Sequence, residues 1–116
     1  MSVPPERCTA LGTEGEYVVA RVMGGYVTAP SHPIDVITPT QAIEVKTLVA
    51  DALEYRVSMG RKARRIKKAW AKDHGKEPLT VLVVVHPNQY DLYIGQGFKG
   101  FPVRTMAPMG SLTRPE

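Results

Sequence analysis

The chain has 116 residues, 43% of them hydrophobic, with 15 Lys and Arg against 11 Asp and Glu, a formal net charge of +4 and a pI near 9.4. That length makes one domain over residues 1 to 116 with a single core, and the single cysteine, Cys8, excludes an internal disulfide framework. No apolar run approaches the ~18 residues of a membrane span, and Met1 to Pro5 lacks the basic and apolar regions of an export signal, so the expectation is a cytoplasmic protein whose excess positive charge meets an anionic partner.

Residues 1 to 11, with Pro4-Pro5 and no periodicity, read as an irregular lead-in. Thr13-Glu14-Gly15-Glu16 has the form of a capping box and predicts a helix from Thr13 to the stop at Gly24-Gly25. Glu16 is then either the reciprocal cap or an acid turned inward. Tyr26 to Ala29 predicts a first short strand, and Pro30 and Pro33 bracket a loop in which His32 reads as an ordinary loop histidine. Two β-branched runs follow, Ile34 to Thr38 and Ala42 to Leu48, around Thr38-Pro39-Thr40-Gln41, whose Pro favours a turn.

A hairpin symmetric about Pro39-Thr40 sets Val36 opposite Ile43 and Asp35 opposite Glu44. Two carboxylates then face each other roughly 5 Å apart, which is destabilising unless a cation lies between them. Strand alternation puts Glu44 and Lys46 on one face and Ile43 and Val45 on the other, toward a core. Two carboxylates beside an amine are the equipment for phosphodiester hydrolysis: Asp35 and Glu44 hold a divalent cation, with the Val45 carbonyl completing its shell, and Lys46 orients or deprotonates the attacking water. Taken alone, the motif reads more readily as a surface pair between Glu44 and Lys46 beside a solvated Asp35.

The second predicted helix runs from about Ser58 to His74, with Met59, Ala63, Ile66 and Trp70 as its buried stripe and Gly75 as its stop. Seven positive charges from Arg61 to Lys72 stand against Asp73. Of these, Arg61, Arg64, Arg65, Lys68 and Lys72 fall on one side at helical spacing, a row suited to successive DNA phosphates. Leu79 to Val85 is an unbroken apolar strand of the kind buried in mid-sheet, His86-Pro87-Asn88-Gln89 turns the chain with His86 as a capping residue, and Asp91 to Ile94 is the last strand. The Gly- and Pro-rich stretch from residue 96 to 116 reads as a draped tail or an oligomer arm.

On these residues the chain resembles the PD-(D/E)XK, or restriction-endonuclease-like, nuclease superfamily over about residues 12 to 95. Asp35, Glu44 and Lys46 match its motif, Glu44-Val45-Lys46-Thr47 reproduces the acidic-x-Lys element, and Ile34 stands where many members have proline. The run from Lys46 to Trp70 is also similar to small phage-borne members, which implies the host cytoplasm as location. The resemblance implies an α/β fold with an αβββαβ core, a central mixed sheet flanked by helices, and a Mg²⁺- or Mn²⁺-dependent DNA endonuclease. Glu16 falls where members such as the archaeal Holliday junction resolvases carry a further acid on the first helix. It also implies two alternatives: a homodimeric, structure-selective junction resolvase, or a phage DNA-binding or structural module that kept the fold without catalysis.

Overall fold

The computed structural model describes residues 5–50, 56–57 and 59–115. Helix α1, Pro5–Met23, leads through β1, Tyr26–Val27, β2, Val36–Ile37, and β3, Gln41–Val49, to β4, Arg56–Val57, and helix α2, Arg61–Asp73. Then come β5, Glu77–Val85, β6, Gln89–Gln96, β7, Phe101–Pro102, a single 3-10 turn over Val103–Thr105, and β8, Ala107–Thr113. The fold is α/β. A six-stranded mixed sheet runs in the order β1-β2-β3-β5-β6-β8, with β3 and β5 parallel and every other neighbouring pair antiparallel, and β4 pairs β7 in a separate two-stranded ribbon.

The parallel step from β3 to β5 requires a crossover, and α2 supplies it. Strand β5 lies between β3 and β6 with Leu79 to Val85 all buried, as its continuous apolar sequence predicts for a strand covered on both faces. On one face, Val36, Ile43, Val45, Val81 and Val83 pack against Val19 and Ala20 of α1. On the other, Ile34, Ile37, Ala42 and Phe98 pack against Ala71 of α2, with Met59 and Trp70 partly buried beside them. Fully burying a side chain such as Ile43 or Val81 stabilises the fold by about 2 kcal/mol, so the two clusters fix which strand faces look outward.

Both helices end as their sequences predict, at glycines with positive φ, +74° at Gly24 and +62° at Gly75. The start of α1 differs from expectation. The helix begins at Pro5, whose fixed φ and missing N–H suit a first helical position, and Thr13-Glu14-Gly15-Glu16 lies in mid-helix, so no capping box exists there. Gly12 and Gly15 make that stretch read as a boundary, since glycine costs a helix interior about 1 kcal/mol. Gly15 has a packing reason: a Cβ built there would lie 2.0 Å from the Thr47 hydroxyl of β3.

The segment after residue 96 is also more ordered than expected. Its β8 adds a sixth strand to the sheet, pairing Asp91 with Ser111 and Tyr90 with Leu112. Arg114 then bonds Glu14 of α1 through Nε and Nη2 at 2.8 and 3.1 Å, and Tyr90 donates its hydroxyl proton to the same carboxylate. Glycine and proline disguised a strand that side-chain pairing, not propensity, holds in place. Among the described residues, no helix is long and apolar enough to cross a membrane.

Candidate functional site

The hairpin that positions the site forms as its sequence predicts. Thr38 N–H donates to the Gln41 carbonyl at 3.0 Å, and the Thr38 hydroxyl accepts from the amides of Thr40 and Gln41 at 3.3 and 2.9 Å, so Thr38 caps the turn around Pro39. Lys76 clamps the turn from outside, donating to the carbonyls of Thr38 and Pro39 at 2.8 and 2.9 Å. The register is Val36 to Ile43 and Ile37 to Ala42, which carries Asp35 to the position opposite Glu44.

Asp35 sits just before β2. Its carbonyl accepts from the Thr28 amide at 3.0 Å, and its Oδ2 accepts from the Val45 amide at 2.9 Å. His32 accepts the Ile34 N–H on Nδ1 at 3.0 Å, so it shapes this loop, in keeping with its reading as a loop residue. Glu44 is 5% exposed, and its carboxyl is close enough to that of Asp35 for the two to share a hydrogen bond when one is protonated. Burial, then the negative charge of Glu44, pushes Asp35 from its ordinary 3.8 up to about 7, against the opposing pull of the Val45 amide and of Lys67.

Lys46 lies on the same strand face as Glu44, with its Nζ 3.3 Å from Glu44 Oε1 and a side chain 37% exposed. Glu16 approaches from α1. Burial, then repulsion from Glu44, raises its pKa, while Lys67 opposes the rise, so its charge is felt at the pair. With the capping role removed by the longer helix, proximity to the site is the remaining reading of Glu16. Asp35, Glu16, Thr13, Thr28 and His32 line one open cleft of about 420 Å³. A larger groove of about 650 Å³ between α1 and β8 is mostly apolar, and its one acid, Glu14, is already held by Tyr90 and Arg114.

Lys67 is the residue that sequence reasoning missed. Its side chain is only 14% exposed, its Nζ lies 2.8 Å from Glu44 Oε2, and it also donates to the Pro33 carbonyl. The cation that two opposed carboxylates demand is therefore present, and it comes from α2. The contact with Glu44 is close in distance but not aligned as a hydrogen bond, and Oε2 is a buried acceptor without one. The buried side of α2 is accordingly turned from the predicted stripe: Ala71 and Lys67 face inward, Trp70 is half-buried between His32 and His74, and Ile66 remains 48% exposed. A lysine stem packs like an aliphatic chain when its ammonium finds a partner. The missed signal was spacing, since Lys67 precedes Ala71 by four residues on the helix covering the carboxylate face.

The rest of the basic row lies outside. Arg61, Arg65, Lys68 and Lys72 are exposed and Arg64 is half-buried, and among the described residues no carboxylate pairs with any of them. His86 caps the β5–β6 turn, with Nε2 2.7 Å from Asp91 Oδ2, far in role from the cleft.

Among the described residues no three His, Cys, Asp or Glu side chains form a cage. Mg²⁺ does not need one, because it keeps most of its waters and is held by one or two carboxylates. Asp35 and Glu44, with a buried Glu44 oxygen lacking an aligned partner, fit that mode. Val45 enters the site through its amide. Against known proteins the chain matches no family model, no curated protein and no solved structure.

Proposed function

We propose that the protein is a Mg²⁺- or Mn²⁺-dependent DNA endonuclease that hydrolyses phosphodiester bonds. The observation that carries this reading is the convergence of Asp35, Glu44 and Lys46 on one end of a buried hairpin, under a helix whose outer face carries a basic row that no carboxylate pairs among the described residues. In the main sheet, the order of α1, three antiparallel strands, α2 and a strand parallel to β3 supports a restriction-endonuclease-like core, with the short β4 before α2 standing outside that sheet.

Asp35 and Glu44 would hold the cation, with the Val45 carbonyl as a third donor, and Glu16 would support the pair from α1. A bound divalent cation supplies Lewis acidity and lowers the pKa of a coordinated water. Lys46, partly exposed beside Glu44, orients the attacking water and offsets charge on the reacting phosphate. Arg61, Arg64, Arg65, Lys68 and Lys72 hold the DNA backbone, giving affinity that is salt-sensitive and indifferent to sequence. A DNA-binding module without catalysis is the second reading, favoured by one observation: Lys67 already compensates Glu44.

Cleavage of plasmid and four-way-junction DNA in Mg²⁺, Mn²⁺ or EDTA tests the two. Wild-type protein cuts only with the cation, and Lys46→Ala binds DNA normally but loses about 10²-fold or more in turnover, the usual cost of one preorganised donor. Undiminished cleavage by Lys46→Ala would falsify the mechanism, and no cleavage by wild type on any substrate leaves the binding module.

A further inference from the structure

Lys67 occupies a position at which a divalent cation would be in competition with the protein itself. Its ammonium is 2.8 Å from Glu44 Oε2, and Pro33, two residues before Asp35, tethers it through a carbonyl. Two features distinguish this contact from a settled structural ion pair. The approach to Oε2 is not an aligned hydrogen bond, although a buried lysine and a buried carboxylate normally align fully to offset their desolvation. The other cation on Glu44, Lys46, lies by Oε1 and is partly exposed, so among the described residues Oε2 is the oxygen whose ion-pair partner is Lys67. The long, rotatable lysine stem can withdraw without moving the helix backbone.

We propose that Lys67 is a displaceable counter-cation: it neutralises the Asp35 and Glu44 pair in the cation-free protein, and an incoming divalent ion takes Glu44 Oε2 from it. This inference rests on the nuclease reading of the site and adds a device to it. A carboxylate pair without such a cover repels itself whenever the ion is absent. Lys67 removes that cost at the expense of cation affinity, because the ion must break the contact before binding. Covering and binding are then alternatives for the same oxygen.

The test measures cation binding, not cleavage. Titration calorimetry with Mn²⁺ alone, at pH 8 and without DNA, compares wild type with Lys67→Met, which keeps the stem, and Lys67→Arg, which keeps the charge. Lys67→Met binds about tenfold tighter or more, as expected on removing a like charge within a few ångström, and Lys67→Arg stays near wild type. Equal or weaker binding by a folded Lys67→Met overturns the proposal and leaves Lys67 a structural or supporting residue. If Lys67→Met does not fold, acetylation of wild-type lysines read by mass spectrometry decides. Lys67 is slow to react in EDTA and faster in saturating Mg²⁺, while Lys76, held by two turn carbonyls, is the unchanging reference. Lys67 reactivity indifferent to Mg²⁺ overturns the proposal even though the ion binds. Absence of Mn²⁺ binding in wild type and variants alike removes the metal-site reading, and this proposal with it.

Discussion

Replacing Asp35 by Asn should stabilise the cation-free protein above neutral pH and leave its stability almost unchanged in acid. The raised pKa means that the folded state prefers the protonated carboxyl, so this group's contribution is fully present below pH 4 and is lost as pH rises through about 7. A rise from 3.8 to about 7, at ~1.4 kcal/mol per unit, bounds the loss near ~4 kcal/mol. Asn resembles the protonated acid: its carbonyl oxygen still accepts the Val45 N–H, and its amide donates to Glu44 where the shared proton lay. In EDTA, urea unfolding of wild type and Asp35→Asn therefore coincides near pH 4 and diverges by roughly 2 to 4 kcal/mol in favour of the variant by pH 8. The comparison cancels the other carboxylates, including Glu14 and Asp91, whose lowered pKa values act in the opposite sense. Saturating Mg²⁺ closes the gap, because only wild type gains binding energy from the ion. Parallel pH profiles for the two proteins would show that Asp35 and Glu44 do not burden each other, and the account of the site would fail at its base.

Replacing Arg61, Arg65 and Lys68 together by Gln lowers the salt dependence of DNA binding by up to about three phosphate contacts, read as the slope of log affinity against log salt; an unchanged slope returns α2 to ordinary solvated surface. Gly15→Ala sets a helix gain of about 1 kcal/mol against a Cβ that would meet the Thr47 hydroxyl at 2.0 Å. Overpacking of that kind costs about 1 to 3 kcal/mol, so the variant melts below wild type, and a higher melting temperature would place α1 farther from β3. Gly15→Ala with Thr47→Ala recovers most of the loss, since the second change removes the obstructing hydroxyl and methyl groups.

The hairpin was legible in the sequence because its determinants are local. Pro39 between β-branched runs, period-two alternation, and Thr38 as a turn cap fix the register that sets Asp35 opposite Glu44 and turns Lys46 to the same face as Glu44. The mid-sheet place of β5, the glycine ends of both helices and the outward basic row of α2 were legible for the same reason. Three features were not. α1 continues through Gly12 and Gly15, and at Gly15 its close approach to Thr47 favours the missing side chain. β8 exists because β6 offers a free edge, and its own residues carry little strand preference. Lys67 points inward toward the Asp35 and Glu44 pair, more than 20 residues away in sequence, and adds from the covering helix a second positive charge to the one that Lys46 brings from β3. Sequence alone determined where the opposed carboxylates lie and that they require a cation; tertiary structure decided which residue of the protein answers them, because charge compensation across a packed interface depends on helix rotation and distance, neither of which leaves a local pattern in the chain.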